Sequence, residues 1–204
     1  VRDYETALPL RVLHQPEPFI QDGGDCGACV LAGLLGKSVP EVYASFMEGK
    51  PGSFHWATMR DALQTAEGWG LLERVLAEVP LWPWSLHAPF TEFSLHGGYQ
   101  SLAWFHYVTM AMDAGYYGLG LVDIHQKGPF GGGANHWIMI CGARTRREPL
   151  VGIPGNRIIN EVLVSCSSTR TPDEEWVEPG KFLTERGGFN LLLARPARAS
   201  DTGF

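Results

Sequence analysis

The chain has 204 residues, 45% hydrophobic and 19% charged, with 22 acidic against 16 basic side chains. That length suits one domain of generous size, and the apolar fraction excludes wholesale disorder. A formal charge of −6 leaves no broad basic field, so no nucleic-acid partner is expected. No apolar run approaches the ~20 residues of a membrane helix, and the first residues lack the pattern of a signal peptide. The expectation is a soluble acidic domain with no membrane partner.

Residues 1–20 alternate apolar positions (Leu8, Leu10, Val12) and then carry Pro16 and Pro18, which predicts an extended N-terminal arm. Gln21-Asp22-Gly23-Gly24-Asp25 reads as a loop. Small apolar residues from Cys26 to Leu35 predict a buried helix, with Asp25 near its N-cap and Gly36 as its C-cap. Ser38 and Glu41 have capping-box spacing and open a second, short helix to Met47. A third, amphipathic helix is expected over 56–67, stopping at Gly68. Residues 80–107 form an aromatic tract, irregular in its first half, that either fills core or lines a cleft. Residues 101–114 read as helix, ending at Gly115.

Beyond Gly115 the character changes to strands, at 117–124, 136–143, 161–165 and 188–194, with a Gly-rich loop at 128–133. Residues 144–149 are expected to turn the chain, with Arg144, Arg146 and Arg147 solvated. Residues 173–183 read as a polar connection containing a helical turn. Helices first and strands last is the signature of an α+β domain with segregated layers. The arm covers 1–20, the mainly helical part 21–115, the mainly β part 116–196 and a tail 197–204.

The four cysteines are too few for a disulfide scaffold in a chain this long. Cys26-Gly27-Ala28-Cys29 is formally C-x-x-C, but no second C-x-x-C or paired histidines complete a zinc site. No metal or other cofactor is expected. Cys29 reads as a small core residue. Cys26 is different, because it opens a helix. The partial positive charge and free N–H groups of a helix N-terminus favour a thiolate. An imidazole can take the thiol proton, and His136 stands at the start of a predicted strand. The Cys26 N–H, with a side-chain amide such as that of Gln21, would meet a developing oxyanion.

The segment from Gln21 through Cys26 to Ala32 resembles the nucleophile segment of papain-like cysteine peptidases. It is most similar to the double-glycine leader peptidases, the peptidase domains of bacteriocin exporters. Residues 112–122, the strand Asn135-His136-Trp137-Ile138-Met139-Ile140-Cys141-Gly142 and the closing stretch 175–193 resemble later segments of that family in order. The resemblance implies a single papain-like domain over 1–204, with the Cys helix packed on an antiparallel sheet. It implies Cys26 as nucleophile, His136 as general base and acid, and Gln21 as an oxyanion donor.

The residue that orients the His is where this chain departs from the pattern. The slot falls on Cys166 or Ser167, neither of them a carboxylate or carboxamide. A Ser hydroxyl holds an imidazolium less strongly than an anion does.

The implied function is hydrolysis of a peptide or isopeptide amide through a thioester on Cys26, with a peptide or protein as substrate. Alternatives are acyl transfer to an amine at the same site, a non-catalytic peptide-binding module, and disulfide exchange through Cys26 and Cys29. Free-thiol chemistry fits a reducing cytoplasm, and a secreted location is compatible too. With no membrane segment, fusion to an exporter is not expected.

Overall fold

Residues 137–141 and 191–194 are buried at every position. Successive side chains of a strand point to opposite faces, so such runs require a sheet covered on both sides. The computed structural model, which describes residues 3–8, 25–79, 93–123, 135–166, 174–179 and 191–197, has that arrangement. Among these residues are seven strands, β1 (Tyr4–Ala7), β2 (Leu72–Val79), β3 (Tyr117–Asp123), β4 (Asn135–Pro149), β5 (Asn156–Cys166), β6 (Glu174–Val177) and β7 (Leu191–Pro196). The four helices are α1 (Cys26–Leu35), α2 (Val39–Phe46), α3 (Trp56–Gly68) and α4 (Phe93–Asp113).

The strands form one antiparallel sheet in the order β2-β7-β3-β4-β5-β6, with β1 pairing the distal part of β4. One face carries α1, α2 and α3, packed on Leu119, Trp137, Met139, Cys141, Leu163 and Leu192. The other face carries α4, whose Trp104, Phe105, Val108 and Met112 meet Ile138, Ile140, Val162, Val164 and Leu191. The α+β class holds, but α4 crosses to the face opposite α1, so the helices are not segregated to one side.

The early helices follow their sequence signals. Gly36 takes the left-handed conformation at φ 64° and caps α1. Ser38 Oγ accepts from the Glu41 N–H while the Glu41 carboxylate accepts from the Ser38 N–H, completing the capping box of α2. α4 begins at Phe93, well before the expected 101, and its buried Trp104 and Phe105 are core.

Several expectations need correction. Residues 144–149 are not a turn, because β4 continues to Pro149 and the chain reverses over 150–155. Cross-strand charge keeps the ladder going: Glu161 on β5 is buried and accepts from Arg144 Nε at 2.7 Å and Arg146 Nε at 2.9 Å. Those two arginines are therefore ladder partners, Arg144 mostly covered and Arg146 still partly exposed, and Arg144 also lies over the Trp176 ring at 4.1 Å. β5 consequently starts at Asn156, ahead of 161. Residues 174–177 form strand β6, paired to β5, where a polar connection was expected. β2 interrupts the helical part. Its apolar residues Leu72, Val75, Leu76 and Val79 have a helix-like spacing, which the strand accommodates through register shifts between Leu72 and Arg74 and between Leu76 and Val79. The Gly-rich loop at 128–133 and most of the N-terminal arm lie outside the described residues.

Candidate active site

α1 is buried along almost its whole length, wedged between α2 and the sheet. Its first turn meets Phe54, before α3, and Trp137 of β4 closely enough that position 27 must be glycine. A Cβ there would lie 2.6 Å from Phe54 Cβ and 3.1 Å from Trp137 Cδ1. That approach puts the Cys26 sulfur against the backbone of β4. The Trp137 N–H donates to Cys26 Sγ at 3.4 Å, joining residues 111 positions apart.

Trp137 is itself fixed. Its indole Nε1 donates to the Phe54 carbonyl at 2.6 Å, and its ring stacks on Trp56 with centroids 5.6 Å apart. The segment before α3 thus clamps the residue whose amide holds the sulfur.

The structure therefore brings Cys26 to the peptide linking His136 and Trp137. The register from 135 to 140 is unbroken against β3, and Trp137 and Met139 face α1 while Ile138 and Ile140 face α4. Strict alternation would start His136 on the Ile138 side, so an imidazole serving the sulfur has to turn around the end of the strand.

Both titratable groups are neutral near pH 7. Burial pushes the Cys26 thiol up; the N–H groups of Trp137, Gly27 and Cys26 pull it back, and the charge of Asp25 adds a smaller rise. Burial alone pushes the His136 imidazole down, to about 4. Neither group is charged at rest, so Cys26 and His136 do not form an ion pair.

Asp25 is buried at the N-cap position of α1, yet its side chain makes no capping hydrogen bond. Instead the Tyr43 hydroxyl of α2 donates to Asp25 Oδ1. Burial, that bond and the Asp25 charge push the Tyr43 hydroxyl well above the usual phenol range. Tyr43, Phe54 and Trp56 were not singled out from the sequence for this site. No spacing signal links them to Cys26, because they reach it through tertiary packing.

The other expected site residues are less informative. Gln21 and Ser167 lie outside the described residues. Cys166 ends β5 in register with Ile138. Cys29 is fully buried beneath the first turn of α1, and Cys141 donates to the Leu163 carbonyl at 3.7 Å across the β4 irregularity, so both are core thiols. Among the described residues no group of His, Cys, Asp or Glu could hold a metal ion. No described helix is long and apolar enough to cross a membrane. The chain matches no protein-family model, no curated protein and no solved structure.

Proposed function

We propose that the protein is a papain-like cysteine hydrolase that cleaves a peptide or isopeptide amide through an acyl-enzyme on Cys26. The observation that supports this reading is the hydrogen bond from the Trp137 N–H to Cys26 Sγ. It sets a thiol at a helix N-terminus beside the residue that follows His136.

In the proposed reaction the Cys26 S–H proton passes to His136 as sulfur attacks the carbonyl carbon. An S–C bond forms, and the oxyanion faces the N–H of Cys26 at the start of α1. Collapse breaks the C–N bond, and the imidazolium returns its proton to the leaving amine. Water then attacks the thioester with His136 as base, releasing the acid and restoring the thiol. Because both groups rest neutral, the proton moves in the attack step instead of being separated beforehand.

Acyl transfer uses the same first half, with an amine replacing water. The buried, neutral state of the thiol is also what a non-catalytic peptide-binding module would show. Profiling a peptide library with wild type and Cys26→Ala in parallel separates these readings. Cleavage by wild type alone supports hydrolysis, and products that need an added amine support transfer. Binding with no cleavage by either protein sinks the enzyme reading.

A further inference from the structure

The unusual feature beside Cys26 is a buried carboxylate that precedes a helix and does not cap it. An N-cap Asp ordinarily accepts from the N–H of the second or third helical residue. Asp25 precedes α1 and its carbonyl accepts the Cys29 N–H at 2.9 Å, but its backbone is helical (φ −83°, ψ −8°) rather than extended like a capping residue's, and its carboxylate accepts from Tyr43.

The Tyr43 hydroxyl can play only one part in that bond. The Gly52 N–H also bonds the phenol oxygen, which leaves the O–H to point at Asp25. The Tyr43 ring is buried, stacked on Phe54 with centroids 6.3 Å apart, and carried by α2, whose start is fixed by its capping box. Phe54 in turn accepts from the Trp137 indole. Tyr43, Phe54 and Trp137 thus link the Asp25 carboxylate to the peptide that meets the sulfur.

We propose that Tyr43 is a positioning residue for the Cys26 site: by holding the Asp25 carboxylate away from the first turn of α1, it reserves the Gly27 N–H for the sulfur. Without the hydroxyl, residue 25 turns to the extended conformation of an N-cap and its carboxylate caps the first turn of α1. It then occupies the Gly27 N–H and brings its charge nearer the sulfur, and both changes disfavour the thiolate. This inference rests on the reading of Cys26 as the reactive group.

The test follows Cys26 alkylation by iodoacetamide against pH, with peptide-resolved mass spectrometry. The charged group that acts on the sulfur is Asp25 at the start of α1; the other titratable side chains on the surrounding elements are Cys29 on α1, Tyr43 on α2 and His136 on β4. Tyr43→Phe is expected to slow alkylation at pH 7 by about fivefold to tenfold, since one unit of thiol pKa is tenfold in thiolate. In an Asp25→Asn background the same substitution has no such effect.

An unchanged rate in Tyr43→Phe, or an equal loss in the Asp25→Asn background, overturns the proposal. If Tyr43→Phe does not fold, replacing the tyrosines with 3-fluorotyrosine strengthens the hydroxyl donor while keeping the ring. Faster alkylation then supports the proposal and an unchanged rate overturns it. Peptide turnover plays no part in this test, so a wild type that hydrolyses nothing refutes the hydrolase reading while the role of Tyr43 is still decided.

Discussion

Gly27→Ala tests whether the close approach of α1 to β4 builds the site. The added methyl would sit 2.6 Å from Phe54 Cβ, an atom one bond from the backbone and unable to swing aside. Phe54 is further pinned because its carbonyl takes the Trp137 indole N–H. Overpacking of this kind costs about 1–3 kcal/mol, against a gain of about 1 kcal/mol from replacing Gly by Ala within a helix. The net loss of up to about 2 kcal/mol corresponds to a fall in Tm of up to roughly 8 °C at this chain length. α1 and Phe54 must part, which disturbs the seat of Trp137, so the Trp137 N–H to Cys26 contact lengthens and Cys26 alkylation slows.

Gly68→Ala is the control. Nothing lies within 4 Å of its added Cβ at the end of α3, and propensity alone should leave the protein as stable or slightly more so. Calorimetry and alkylation kinetics on both variants are sufficient. A Gly27→Ala protein that melts no lower than wild type and labels Cys26 at the same rate refutes the reasoning.

Other outcomes follow from the same structure. His136 is held at about 4 by burial, below its ordinary 6.5, so the unfolded chain binds more protons between those values. Stability from this group is complete above pH 6.5 and is lost as pH falls toward 4, by up to roughly 3 kcal/mol. Urea unfolding across that range should show the slope, and His136→Gln should flatten it. Glu161→Gln removes the charge that Arg144 and Arg146 share in the β4–β5 ladder, and should cost about 1–3 kcal/mol in chemical denaturation. Ser38→Ala removes half of the α2 capping box and should cost about 1 kcal/mol, measured by thermal unfolding.

Local signals in the sequence carried the early helices. Gly36, the Ser38–Glu41 spacing and the small apolar run from Cys26 each act within one or two helical turns, and each element appears where its signal lies. The boundaries that were missed depend on partners distant in the chain. β4 outlasts its apolar run because Glu161 neutralises its arginines, and β2 is a strand because β7 offers an edge that tolerates its register shifts. The covering of both sheet faces is written in the unbroken apolar runs 137–141 and 191–194, but nothing local assigns α4 to the second face. At the site, Cys26 and His136 were legible as residue types at element starts. The Trp137 amide, the Phe54 carbonyl and the Tyr43–Asp25 pair were not, since they arise only when α2, the segment before α3 and β4 converge.

The central claim is that Cys26 acts as a nucleophile toward an acyl carbon with His136 as its base. Intact-protein and peptide mass spectrometry after brief exposure to an activated Gly-rich peptide ester tests it directly. The account predicts a thioester adduct on the Cys26 peptide of wild type, slower to form in His136→Ala and absent from Cys26→Ala. An ester left untouched by wild type, or an adduct that forms equally well in Cys26→Ala, would contradict it.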